Sequence, residues 1–290
     1  VTGERTTSRA RPAGPHGGGR RSGPDAGATA RKVTRVRLPA LLYRVYEKRL
    51  ARDLVGADLP HHVGVMLDGN RRWAREKGFT DPNEGHRAGA AHIDQLLEWC
   101  TESGIRVVTL WLLSTDNLRR PLAELDPLLQ IITDVVDELA APGQPWKLRM
   151  VGALDRLPAP MQARLSGAEQ RTAGREGAEV NIAVGYGGRQ EIVDAVKSLL
   201  RDHVAQGQTL EEVIDGLNVE AIGEHLYTSG QRDPDLVIRT SGEQRIGGFM
   251  MWQSVHTEFW FCDAYWPDFR RVDFLRALRD YAARHRRFGN

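Results

Sequence analysis

Cysteine is nearly absent: Cys100 and Cys262 are the only two in 290 residues. That is too few, and too widely spaced, for a disulfide framework or a zinc-type ligand set. A buried free thiol is the default for both, which fits a reducing, cytoplasmic setting. No run of 18 apolar residues occurs, so nothing reads as a membrane span. The basic N-terminus has no apolar stretch behind it and does not form a secretory signal. Large apolar residues are scarce in residues 1–37, where nine Lys/Arg stand against two acids among many Gly, Pro, Ser and Thr. Such a composition buries too little surface to offset its ordering entropy, so 1–37 reads as a disordered basic tail. The tail also lacks interleaved aromatics, and no nucleic-acid partner is expected; the plain alternative is an inert extension or an over-long start. The whole chain carries 40 basic and 38 acidic residues, so beyond the tail it is mildly acidic.

What is present is an alternation of short apolar runs and helical patterns. Strands are predicted at 63–67, 107–113, 147–151, 180–184, 236–239 and 258–261. Helices are predicted at 85–101, 122–139, 160–172, 189–206, 219–226 and 272–287. This order predicts a single α/β domain over 59–290, with a mostly parallel sheet of about six strands flanked by helices. Residues 38–58 read as an N-terminal helix packed on its own domain, with a partner subunit or lipid as the other surfaces open to it.

The run Val63-Gly64-Val65-Met66-Leu67-Asp68-Gly69-Asn70-Arg71-Arg72-Trp73 carries the chemistry. An apolar strand stops at Asp68, at the carboxyl end where open α/β sheets place ligands. Behind it lie the backbone N–H groups of a Gly-Asn turn and two guanidinium groups, suited to phosphate oxygens. A carboxylate beside anion donors makes sense if a divalent metal lies between Asp68 and a diphosphate. The competing reading is a helix N-cap aspartate with solvated arginines.

Leu67 to Ala74 resembles the Met-Asp-Gly-Asn-x-Arg-Trp-Ala motif of the cis-prenyltransferases, the undecaprenyl diphosphate synthase family. Four further segments resemble the same family in the same order: Gly85 to Gly89, Ser114 to Pro121, Asn181 to Arg189, and the block from Asp235 to Phe269. The resemblance implies a transferase that condenses isopentenyl diphosphate with an allylic diphosphate, with Mg²⁺ as cofactor and a homodimer as assembly. It implies Asp68 as the catalytic, metal-linked carboxylate, Glu258 as its metal partner, and Gly69, Asn70, Arg71 and Arg72 on the allylic diphosphate. Trp73 and His86 would flank that site. Arg239 and Arg245, with Ile246 and Gly247 beside them, would grip isopentenyl diphosphate. Ser114, Thr115, Asp116, Asn117, Leu118 and Arg120 match a segment that is mobile in the family, where Asn117 is the candidate for assisting proton removal. Plainer roles stay open: surface ion pairs for Arg239 and Arg245, a turn cap for Asn117, an ordinary first-turn position for His86.

Departures from the family pattern bear on substrate preference. Phe79 to Glu84 is acidic and lacks the arginine many members carry there; Arg71 stands where several members have Gly. Asp116 replaces Glu, Leu118 an aromatic, and Gly247 a Ser. Leu112 stands where long-chain members carry a small residue, and a Leu projecting into the tail cavity would stop elongation early. With the N- and C-terminal similarity to actinobacterial short-chain members, this implies a (2Z,6E)-farnesyl diphosphate synthase primed by geranyl diphosphate. A C50–C55 lipid-carrier synthase is the alternative, and a noncatalytic partner subunit another. The terminal Arg287-Phe288-Gly289 resembles a tail that reaches across the dimer in competent members. No Asp-Asp-x-x-Asp cluster of trans-type synthases occurs. Peripheral contact with the inner face of the plasma membrane stays open.

Overall fold

The computed structural model describes residues 40–284. The basic tail and Arg287-Phe288-Gly289 lie outside the described residues. Along the chain run α1 (Ala40–Asp53), β1 (His62–Met66), α2 (Asn70–Glu76), α3 (Asn83–Ala90), α4 (Ile93–Glu102) and β2 (Val107–Ser114). Then come α5 (Leu122–Leu139), β3 (Lys147–Val151), α6 (Ala159–Thr172), β4 (Glu179–Tyr186), α7 (Gly188–Ala205), α8 (Leu210–Gly216) and α9 (Val219–Gly223). β5 (Leu236–Arg239), β6 (Glu258–Phe261) and α10 (Arg271–Ala283) follow.

The six strands form one sheet in the order β3-β4-β2-β1-β5-β6, with every pairing parallel. β1 and β5 are buried along their whole length, as strands covered on both faces must be, which is why they read as continuous apolar runs. Parallel pairing brings all carboxyl ends to one edge. Met66 stands opposite Trp111 on one side and Arg239 on the other, so the segments after β1, β2 and β5 emerge side by side. The chain leaves β1 toward β2 and β5 toward β6, in opposite directions across the sheet. That reversal opens a crevice at the β1/β5 edge.

The strand expectations match to within two residues at each end, but three helical details differ. The expected helix 85–101 is two helices broken at Ala91-His92, where the His92 ring packs 4.8 Å from Trp266 and bonds the Phe269 carbonyl. α2 opens directly from the Gly-Asn turn and α8 was not foreseen, although Thr209 and Glu212 form a complete capping box at its start. α1 packs on α10: Arg270 lies 4.8 Å over the Tyr43 ring, Arg276 5.1 Å over Tyr46, and Arg271 pairs with Glu47 at 3.2 Å. The expectation that this helix covers its own domain is met.

α2 and α3 cross closely enough that a side chain on Gly85 would lie 2.0 Å from the Asn70 carbonyl oxygen. Backbone cannot yield to a methyl there as a flexible side chain could. Gly85→Ala is expected to cost about 2 kcal/mol or more and to lower the thermal midpoint by roughly 4–8 °C. Thermal unfolding by circular dichroism checks this, and an unchanged midpoint would mean the two helices separate freely.

Candidate active site

Gly69 takes the left-handed conformation (φ +103°) and turns the chain from β1 into α2. A side chain there would meet Tyr265 and Ser241 at 2.6 and 3.0 Å, so the position accepts only glycine. α2 has no side-chain cap, which leaves its first N–H groups for another acceptor. Asp68 is therefore not an N-cap. Its Oδ2 accepts from Arg239 Nη2 at 2.8 Å, and Arg72 Nη2 lies 3.7 Å from its Oδ1. Its backbone N–H donates to Thr240 Oγ1 at 3.0 Å, and that hydroxyl donates back to the Asp68 carbonyl at 2.7 Å. These bonds tie the ends of β1 and β5 together. Burial by itself would raise the Asp68 pKa, but the Arg239 hydrogen bond and charge, aided by Ser241 and Arg72, hold it below the usual carboxylate range. Arg71 and Arg72 keep 49 % and 40 % of their side chains exposed, while Arg239 is buried. Arg239 is 7 % exposed, and Arg72 donates to Ser241 Oγ at 2.7 Å and to Glu243 at 3.2 Å. Arg245 pairs with the other oxygen of Glu243.

These groups line an open cleft of about 660 Å³. Of the residues expected to act, Asp68, Gly69, Asn70, Arg71, Arg72, His86, Ser114, Asp116, Asn117, Arg120, Arg239, Arg245 and Gly247 meet there. Ser114 Oγ accepts the Asn117 N–H at 3.1 Å, so Ser114 makes the cap and the Asn117 side chain is spared that role. Asn117 Oδ1 instead accepts from Arg120 Nη2 at 3.0 Å. Asn70 Oδ1 and His86 Nε2 are buried with no hydrogen-bond partner among the described residues, although both residues border the cleft. Burial, followed by the charges of Arg120 and Arg71, pushes the His86 pKa down to about 4, so the ring is neutral at pH 7.

Several expected residues lie elsewhere. Trp73 points away from the cleft: its indole N–H donates to Asp268 at 2.9 Å and its ring stacks on Phe79. Thr115 packs at the β4 end beside Gly187, Leu118 joins the core, and Ile246 is half-buried behind Gly247. Glu258, the expected metal partner, lies outside the cleft of its own chain. It begins β6 in register with Leu236, about 15 Å from Asp68 along the strands, and pairs with Arg284. Within one chain the two carboxylates therefore stand at opposite ends of the strands. Arg75 and Glu243 line the cleft without having been singled out. Arg75 was legible as the residue one helical turn beyond Arg72.

A narrow apolar pocket of about 40 Å³ adjoins the cleft, bounded by Ile93, Leu112, Ile131, Ile132 and Val135 among others. Leu67, Asn70, His86, Leu112 and Leu128 border both spaces. An anionic head and an apolar tail thus have adjoining compartments.

The described residues contain no group of three or more His, Cys, Asp or Glu poised for a metal. A hard divalent cation that keeps waters and takes its remaining oxygens from a phosphorylated ligand needs only one or two protein carboxylates. Asp68, partly exposed at the cleft wall, fits that demand.

Comparison with known proteins agrees with this geometry. Residues 66–289 match the family model described as "Putative undecaprenyl diphosphate synthase". The chain is 58 % identical to isoprenyl transferase 1 of Corynebacterium efficiens over 252 residues, covering 87 % of this chain and 98 % of that protein. It is 55 % identical to the (2Z,6E)-farnesyl diphosphate synthase of Mycobacterium tuberculosis over 255 residues, covering 87 % and 97 %. Among solved structures, lavandulyl diphosphate synthase from Lavandula x intermedia, in complex with dimethylallyl diphosphate, superposes with a TM-score of 0.73 at 35 % identity. That match covers 80 % of this chain and 99 % of the plant chain.

The His86 environment makes a pH prediction. Between pH 6.5 and 4 the unfolded chain binds more protons at His86 than the folded one, so this site's contribution to stability is full above pH 6.5. It is lost as pH falls through that window. The imidazole resonances of His86 are expected to stay neutral to about pH 4, and a midpoint near the free-histidine value would contradict the buried placement.

Proposed function

The chain belongs to the undecaprenyl diphosphate synthase family of cis-prenyltransferases, and from that premise we propose that it condenses isopentenyl diphosphate with geranyl diphosphate to (2Z,6E)-farnesyl diphosphate. The observation that carries the short product is Leu112, whose side chain stands where the polar cleft meets the narrow apolar pocket.

In this reading the allylic diphosphate lies against the start of α2, with Arg71, Arg72 and the neutral His86 as donors. Isopentenyl diphosphate is gripped by Arg239 and Arg245, whose guanidinium forks suit bidentate phosphate contact. The allylic carbon loses diphosphate, the isopentenyl double bond attacks it, and a proton leaves to set the new cis double bond. Negative charge gathers on the departing diphosphate, and guanidinium groups already aimed at it lower the barrier electrostatically. Mg²⁺, held by Asp68 together with diphosphate oxygens, would neutralise part of that charge when bound. Asn117, fixed by Arg120, is the group proposed to steer the leaving proton. The proposal includes a homodimer. No described helix is long and apolar enough to cross a membrane.

Purified protein with Mg²⁺, labelled isopentenyl diphosphate and geranyl diphosphate is expected to give a C15 product. Mainly C50–C55 chains would make it a lipid-carrier synthase, and no turnover with any primer a partner subunit. Chelation with EDTA is expected to abolish turnover, and Asp68→Ala to reduce kcat by about 10³-fold, the scale for losing one electrostatic stabiliser. Leu112→Ala is expected to lengthen the product distribution; an unchanged distribution would clear that residue of a stopping role.

A further inference from the structure

We propose that Glu124 is the positioning residue of the allylic half of the cleft, its single oxygen Oε1 holding Arg71 and Arg120 together so that two like charges face one diphosphate. The proposal rests on the functional reading above and deepens it. Arg71 lies in the first turn of α2, Arg120 ends the short turn after β2, and Glu124 stands in the first turn of α5. Arg71 Nη1 donates to Glu124 Oε1 at 3.0 Å, and Arg120 Nη1 lies 3.0 Å from the same oxygen as an ion pair without hydrogen-bond alignment. Both arginines line the cleft, and the carboxylate reaches them from α5. Arg120 keeps its other amino group on Asn117 Oδ1, so one carboxylate fixes the head of α2 and, through Arg120, the amide of Asn117.

Two guanidinium groups sharing an oxygen repel one another unless that oxygen is charged. Burial and the charge of Arg71 both disfavour protonated Arg120, and Glu124 opposes them. The Arg120 side chain is 16 % exposed and that of Glu124 28 %, so this arm of the bridge is screened less than an ordinary surface pair, whereas the Arg71 arm, 49 % exposed, is a surface contact. Glu243 differs, because it lies in the cleft between Arg72 and Arg245, where a substrate would compete with it directly. A bare charge argument predicts that removing a carboxylate beside an anion site tightens anion binding. The geometry predicts the reverse, since the freed arginines swing apart toward solvent.

Glu124→Gln keeps the size of the side chain and removes the charge. With Mg²⁺ present, calorimetric binding of the non-reactive geranyl thiolodiphosphate is expected to weaken about fivefold or more. The KM for geranyl diphosphate should rise and kcat fall, while the KM for isopentenyl diphosphate, held by Arg239 and Arg245, stays within about twofold. In an Arg71→Met background the same substitution is expected to cost less than it does alone. Binding as tight as, or tighter than, the wild type would overturn the proposal. So would a parallel rise in both KM values, which marks general damage to the fold. A wild type that neither binds the analogue nor turns over would remove the functional reading and the proposal with it. An active wild type beside a tight-binding Glu124→Gln refutes the bridge alone.

Discussion

Charge crowding is the constraint on which the rest of this structure depends. Six arginines, at positions 71, 72, 75, 120, 239 and 245, line one cleft, and without counter-charges they could not be held there. Three carboxylates answer them in different ways. Asp68 meets the buried Arg239 at the joint of β1 and β5, where an unpaired guanidinium would be costly. Glu243 lies between Arg72 and Arg245 in the cleft itself, and Glu124 gathers Arg71 and Arg120 from α5. The cleft therefore stays cationic toward a ligand while the five arginines paired with these carboxylates are held in place.

That arrangement requires a parallel sheet. Only when all six strands run the same way do the carboxyl ends of β1, β2 and β5 open onto one edge, bringing residues about 170 positions apart within hydrogen-bond distance. The same edge resolves a conflict of solvation. A prenyl diphosphate needs a wet, charged surface for its head and a dry one for its tail, and the two spaces here share a wall at Leu67, Leu112 and Leu128. His86 sits on that wall with its charge suppressed by burial, so it can exchange hydrogen bonds at the boundary without adding a further cation.

The sequence determined a good deal by itself. Apolar runs marked the central strands β1, β2, β4 and β5, because strands covered on both faces admit few polar side chains, whereas edge strand β3 alternates and edge strand β6 is only partly buried. Asp68-Gly69-Asn70 announced the site, because a carboxylate at a strand end followed by a glycine turn is local chemistry. What local pattern could not supply was direction and distance. Trp73 shares a motif with Arg72, yet helical rotation sends it to Asp268 on the outer face. Glu258 carries the right chemistry, and the register of β6 sets it, within one chain, at the opposite end of the strands from Asp68. Glu124 reads as an unremarkable first-turn acid, and only the approach of α2 and of the turn after β2 makes it the shared partner of two arginines. Periodicity and turn chemistry act over a few residues and so can be read along the chain. Which charges meet is decided by strand order and helix crossing, which exist only once the whole sheet has formed.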